Sequence, residues 1–202
     1  MNVIVRRRAA IVALLTIAIG VGVSTVANAQ WTRFRGPNGT GVSDAVNLPT
    51  EFGPDKAVVW KTPTPPGHSS PVLTPTRMFI TAHEGDKTNY KLLVLCLDRR
   101  TGKVLWQREV PRAQAGRIQN VNGPASPSPV TDGTNVYVFF QEFGLLAFDQ
   151  KGAEQWRLPM GPFNMFYGFG ASPILVDDLI ILPVDQDIGS HLVAIDKRTG
   201  KT

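Results

Sequence analysis

The sequence predicts an all-β fold assembled from repeated four-stranded antiparallel units, and three observations carry that expectation. The pair Ser-Pro recurs at Ser70 and Pro71, at Ser128 and Pro129, and at Ser172 and Pro173, each time followed by an aliphatic residue. Downstream of each pair an alternating stretch ends on an aspartate, at Asp98, Asp149 and Asp196, spaced 51 and then 47 residues apart. Each aspartate is followed by a glycine, at Gly102, Gly152 and Gly200, and Trp106 and Trp156 stand four residues beyond the first two. A period of this length that contains only strand-like segments reads as radial β repeats, of which the four-stranded propeller blade is the leading example.

The elements follow in order. The first full unit has strand signals at residues 69–73, 78–83, 92–97 and 104–110, separated by turn residues such as Pro75, Gly85 and Gly102. The second runs through Val130, residues 136–140, residues 145–148 and the stretch around Trp156. Its turns carry Asp132 with Gly133, Gly144, and Lys151 with Gly152. No segment of helical length shows a 3.6-residue period outside the N-terminal leader. Residues 57–62 fit an outer strand that closes a ring, with Trp60 placed 46 residues before Trp106, and the partners of such a strand would lie outside this sequence.

The leader is the clearest signal of place. Arg6, Arg7 and Arg8 precede an apolar run over residues 9–23 broken only by Thr16, and the triplet Ala27, Asn28, Ala29 follows. That order describes a secretory signal peptide over residues 1–29, cleaved near Ala29, and predicts an exported protein, periplasmic or extracellular. The run is short of the about 20 apolar residues of a membrane span, so no integral membrane domain is expected after cleavage. Removing the three leader arginines leaves 18 basic residues against 16 acidic ones. Such a balance does not suit a nucleic-acid grip. A single cysteine, Cys96, excludes an internal disulfide and any multi-cysteine metal site.

The residues with reactive side chains read first as architecture. Asp98, Asp149 and Asp196 recur in every unit, which suits the first position of a tight turn, where the carboxylate accepts backbone N–H groups, better than it suits catalysis. The tryptophans read as wedges between neighbouring blades. Cys96 aligns with Ala147 and Ala194 and has Leu95 and Leu97 beside it, as a core thiol would. His68, His83 and His191 do not recur with the repeat, so they do not form a repeated ring of ligands. Asp185 and Asp187 lack the further oxygen ligands of a calcium loop. Asn38 and Thr40 match a glycosylation sequon within a turn-like setting. The connections between units, residues 63–68, 111–124 and 159–170, cross one face and end at the channel mouth. The second connection holds Arg112, Arg117, Gln119, Asn120 and Asn122, and the third holds Phe163, Asn164, Phe166, Tyr167 and Phe169. Such a mouth could hold a small ligand or a peptide strand. The plainer reading is blade-to-blade packing and solvated loop.

At this point the stretches LCLDRRTGKVLW (95–106), LLAFDQKGAEQW (145–156) and LVAIDKRTGK (192–201) resemble the repeat of pyrroloquinoline quinone (PQQ)-type propellers. The opening WTRFRGPNGTGVS (31–43) is similar to the N-terminal arm of exported bacterial proteins carrying PQQ-binding-like repeats. The second repeat departs by one deleted turn residue and by Lys151 in place of Thr. The resemblance implies seven or eight blades in a complete ring, an extended arm over residues 30–56, and repeats over residues 57–202 that make up about three blades of it. Such a count implies part of a longer protein. The family includes quinoprotein dehydrogenases and non-catalytic scaffolds similar to the outer-membrane assembly factor BamB. The expected function is therefore an exported, non-catalytic binding or scaffold module with a protein or small-molecule partner at the channel mouth. The alternative is a PQQ-dependent dehydrogenase; PQQ and calcium enter by resemblance only, and no catalytic, cofactor-binding or metal-ligating residue is assigned.

Overall fold

The computed structural model describes residues 30–114, 122–165 and 167–202. The expected leader lies outside the described residues, as do Arg117, Gln119, Asn120 and Phe166. Three antiparallel sheets contain all the named strands. The first runs β1 (Val72–Leu73), β2 (Arg77–Gly85), β3 (Tyr90–Asp98), β4 (Val104–Val110) in spatial order. The second repeats it with β5 (Val130–Thr131), β6 (Asn135–Phe140), β7 (Gly144–Asp149) and β8 (Glu154–Pro159). The third holds β9 (Ile174–Val176), β10 (Leu179–Val184) and β11 (His191–Asp196). No helix occurs among the described residues, and none there is long and apolar enough to cross a membrane. The all-β expectation and the four-stranded antiparallel blade both hold.

Alternation along each strand explains how the sheets stand together. In β3, Leu92, Val94 and Cys96 point to one side while Leu93, Leu95 and Leu97 point to the other, as the two-residue period of a pleated strand requires. The first set meets Val136, Val138, Leu146 and Phe148 of the second sheet. From the far side of that sheet, Tyr137, Phe139, Leu145 and Ala147 meet Ile180, Leu182 and Ile195 of the third. Each blade is thus apolar on both faces, and fully burying one such side chain contributes about 1.5–3 kcal/mol. At the inner edge, β1 lies against β5 and β5 against β9.

The repeated motifs are the joints of this arrangement. Trp106 Nε1 donates to the backbone carbonyl of Gln150 at 3.0 Å, and Trp156 Nε1 donates to that of Lys197 at 2.9 Å. Each indole lies over the turn glycine of the next sheet: a Cβ built on Gly152 would meet Trp106 at 2.7 Å, and one on Gly200 would meet Trp156 at 2.6 Å. Both glycines have positive φ, 80° and 70°, so conformation and space together require the residue. A bulge in the β3–β4 pairing and its counterpart in the β7–β8 pairing fall just before Trp106 and Trp156. The extra residue twists the outer strand and aims the indole at the neighbour. The Ser-Pro pairs join the inner edges, because Ser70 N donates to Ser128 Oγ and Ser128 N donates to Ser172 Oγ, each at 2.9 Å.

Residues 57–62, expected as an outer strand, form no strand among the described residues. A strand needs a paired neighbour, and this segment's described contacts run instead to the turn of the first sheet. The wedge itself survives: Trp60 Nε1 donates to Arg99 O at 3.0 Å and Thr62 Oγ1 to Gly102 O at 2.7 Å. Preceding residues form a short arm. Leu73 N donates to Trp31 O at 2.8 Å and Thr131 N donates to Thr32 O at 2.9 Å, so the arm bridges β1 and β5. Arg33 ties the arm to itself through Gly36 O and Pro37 O, and Asn38 accepts from Thr40 N in a turn.

Candidate functional site

The strand register gives the molecule two ends. Arg77 pairs with Asp98, while Gly85 pairs with Tyr90 and Leu92 with Val110. The β1–β2 and β3–β4 turns therefore share one end, and the β2–β3 turn shares the other with the connections between sheets.

At the turn end the aspartates work as hairpin chemistry. Asp98 Oδ1 accepts from Arg100 N, Thr101 N and Thr101 Oγ1 at 3.0, 2.8 and 2.9 Å. Asp196 repeats the pattern with Arg198 N, Thr199 N and Thr199 Oγ1. The second unit lacks the threonine, and Asp149 Oδ1 turns to Lys151 N and Ala153 N instead. The Thr101 hydrogen bonds hold the Asp98 carboxyl below the usual carboxylate range, and Arg198 does the same for Asp196. All three carboxylates are engaged by the donors of their own turns. Cys96 is fully buried, and burial pushes its thiol up to about 12. It is an unreactive core thiol.

The loop end is where polar groups gather against the boundary between the first two sheets. Tyr90 begins β3, and its hydroxyl donates to Glu142 Oε1 at 2.7 Å from the β6–β7 turn. Arg112, just past β4, stacks its guanidinium 3.9 Å from the Tyr90 ring centroid and donates to Tyr90 O. Glu142 is 1% exposed, and its Oε2 has no hydrogen-bond partner. Desolvation holds its carboxyl above the usual range, partly offset by the Tyr90 hydrogen bond and by Arg112. The same hairpin turn anchors both connections. Glu142 O accepts from Ala113 N and Gln114 N, Gln114 Nε2 donates to Gln141 O and Met160 O, and Gln141 Oε1 accepts from Phe169 N.

Two histidines that the sequence left apart come together here. Gly123 N donates to His68 Nδ1 at 3.3 Å, and a Cβ on Gly123 would meet His68 and His83 alike. Burial lowers the His83 pKa, and neighbouring His68 lowers it further. His83 also packs edge-on against Tyr90, at 6.2 Å between centroids. His191 stays apart, its Nδ1 near Gly189 O. Among the described residues no group of three His, Cys, Asp or Glu side chains converges on a metal site.

The aromatic part of the expected mouth is mostly inward. Phe163 and Phe169 stack with Phe139 at 5.6 and 4.8 Å inside the boundary between the second and third sheets. Tyr167 is 68% exposed, and its carbonyl accepts from Asn122 Nδ2. Asn164 O accepts from Asp187 N, which absorbs part of the Asp185 and Asp187 pair in loop structure. Sequence reasoning missed Tyr90, Gln141 and Glu142. The available signal was a Gln-Glu pair set between Phe140 and Phe143 inside an otherwise apolar hairpin.

Meandering four-stranded sheets that share an inner edge, and indoles wedged on the next sheet's turn, define a β-propeller of the PQQ-like repeat class. The chain belongs to the family described as outer membrane protein assembly factor BamB, which matches residues 50–165. Among solved structures it is similar to the quinohemoprotein alcohol dehydrogenase ADHIIG from Pseudomonas putida HK5, at 20% identity and a TM-score of 0.51, covering 68% of this chain and 20% of that one. A europium-containing methanol dehydrogenase matches at 18% identity and a TM-score of 0.51, covering 72% of this chain and 25% of that one. BamB from Moraxella catarrhalis matches at 19% identity and a TM-score of 0.45, covering 72% and 38%. This chain therefore spans a quarter or less of the first two structures, and the likeness shows the fold. No curated protein gives a significant match.

Proposed function

We propose that the protein is an exported, non-catalytic propeller that binds a protein partner or small ligand at the loop-end mouth. The observation that carries this reading is the asymmetry of the two ends. At the turn end the arm pairs with the inner edges of β1 and β5 through Leu73 and Thr131, so an incoming group meets the axis from the loop end. The loop end offers Arg112, Asn122, His68 and the exposed Tyr167, which suit hydrogen bonding and stacking more than bond making. The three repeated aspartates are committed to turns and the thiol is sealed in the core, so neither offers a nucleophile or base. The leader over residues 1–29 supports export and a periplasmic or extracellular place.

The alternative, a PQQ-dependent dehydrogenase, draws on the quinoprotein likeness. Among the described residues no group of three His, Cys, Asp or Glu side chains converges, which supports the first reading over this one. The three tryptophans of the repeats are also committed as wedges, leaving none of them to stack on a quinone. Incubating the full-length protein with PQQ and calcium, desalting it, and recording the visible spectrum and dye reduction by alcohols or sugars tests the proposal. Neither retained quinone absorbance nor dye reduction is expected. Both together would overturn the non-catalytic reading.

A further inference from the structure

The β6–β7 turn places a fully buried carboxylate at the seam between two blades, directly beneath the connection that leads to the mouth. A carboxylate so enclosed is ordinarily met by several donors, yet among the described residues the Tyr90 hydroxyl is the side-chain donor to Glu142, and its second oxygen meets none. Arg112, whose charge favours the ionised carboxyl, contacts the Tyr90 ring and carbonyl. Meanwhile the Glu142 carbonyl holds Ala113 and Gln114, the first residues of the mouth connection beyond Arg112. The acid thus sits where its charge state bears on how the connection is held.

We propose that Tyr90, Glu142 and Arg112 form a pH-sensitive clasp that fastens the mouth connection to the second blade, and that it holds most firmly when Glu142 carries a proton. With the carboxyl neutral, the packed arrangement stands without an enclosed charge, and Arg112 stays on the Tyr90 ring. With the carboxyl ionised, its unpartnered oxygen draws on Arg112, and the connection that begins there loosens. The neighbouring elements bring Tyr90 on β3, Arg112 on the connection, His83 on β2 with His68 beside it, and Arg157 on β8 to this region. Arg157 lies over Phe143 and is paired with Glu154. Burial and neighbouring His68 lower the His83 pKa, and Arg157 is paired with Glu154, so the comparison with Glu142→Gln separates the carboxyl's contribution from theirs.

The sign follows from burial. Because the folded protein holds the Glu142 proton more tightly than the unfolded chain, stability contributed by the neutral acid is present below the ordinary glutamate range and is lost as pH rises through the elevated folded value. The test compares full-length wild type with Glu142→Gln and Tyr90→Phe by thermal melts and by hydrogen exchange at Ala113 and Gln114, between pH 4 and 7. Wild type should lose melting temperature and protection at those two amides as pH rises. Glu142→Gln should lose less than wild type as pH rises across the window and should melt higher than wild type at pH 7. Tyr90→Phe, which removes the donor to the carboxylate, should move the transition to higher pH. Identical pH profiles for wild type and Glu142→Gln, or a Glu142→Gln protein less stable than wild type at pH 7, would overturn the clasp. A Tyr90→Phe transition at lower pH would do so as well.

Discussion

The second and third sheets are built from the same repeat, yet among the described residues one is covered on both faces and the other on one. Leu145 in β7 and its first-unit counterpart Val94 are fully buried, because the following sheet lies on them. Leu192 holds the same position in β11, four residues before the repeat aspartate, and is 72% exposed. Ile195, on the opposite side of β11, is buried against the second sheet. A blade's alternating sequence therefore specifies two apolar faces, and each is satisfied only by a neighbour. This is the nearest-neighbour logic of repeat architectures, in which stability is a sum of unit and interface contributions.

That comparison can be broken most forcefully at its joint. Trp106 is 8% exposed and packs against Phe79 of its own sheet and Phe148 of the next, with centroids 5.9 and 6.1 Å away. Trp106→Ala is expected to cost about 3–5 kcal/mol in chemical denaturation, through lost burial and the cavity left behind. A change near zero would mean that the indole joins nothing. Next in size is Leu145→Ala, which should cost about 2–5 kcal/mol because the third sheet covers it. A loss near zero would contradict the packing of the second sheet against the third.

The smallest effect sharpens the reading of the turns. Asp98 is held below the ordinary carboxylate range, so its contribution is present above that range and fades as pH falls through the depressed folded value. Asp98→Asn should lower the melting temperature slightly at pH 7, and the gap to wild type should close on acidification. A gap that widens in acid would show that the carboxylate does not accept the turn's donors in solution.

Much of this was legible in the chain. The repeat of Asp, Gly and Trp carried both the blade and the wedge, since a periodic turn residue and a periodic large aromatic have few structural uses other than a hairpin and a packing joint. The stretch expected over residues 104–110 is the strand found, and the inner strand expected over residues 69–73 is shortened to β1, where Ser70 N donates to Ser128 of the neighbouring sheet instead of the ladder. Residues 57–62 show the limit of the pattern: Trp60 takes its predicted place, but strand pairing depends on a neighbour that no local signal supplies. The loop end was the least readable. Phe163 and Phe169 face inward, His68 meets His83, and Glu142 crosses to Tyr90 over 52 residues, all through contacts that a one-dimensional period does not encode.

The central claim is that each indole wedges onto the turn glycine of the next sheet, and a double-mutant cycle between Trp106 and Gly152 tests it most directly. Gly152→Ala alone should be destabilising, because the new methyl group meets the indole and the backbone sits at a φ of 80°. In a Trp106→Ala background much of that penalty should vanish, giving a coupling of about 1–3 kcal/mol by denaturant melts. Strictly additive losses would contradict the wedge and, with it, the side-by-side stacking of the sheets.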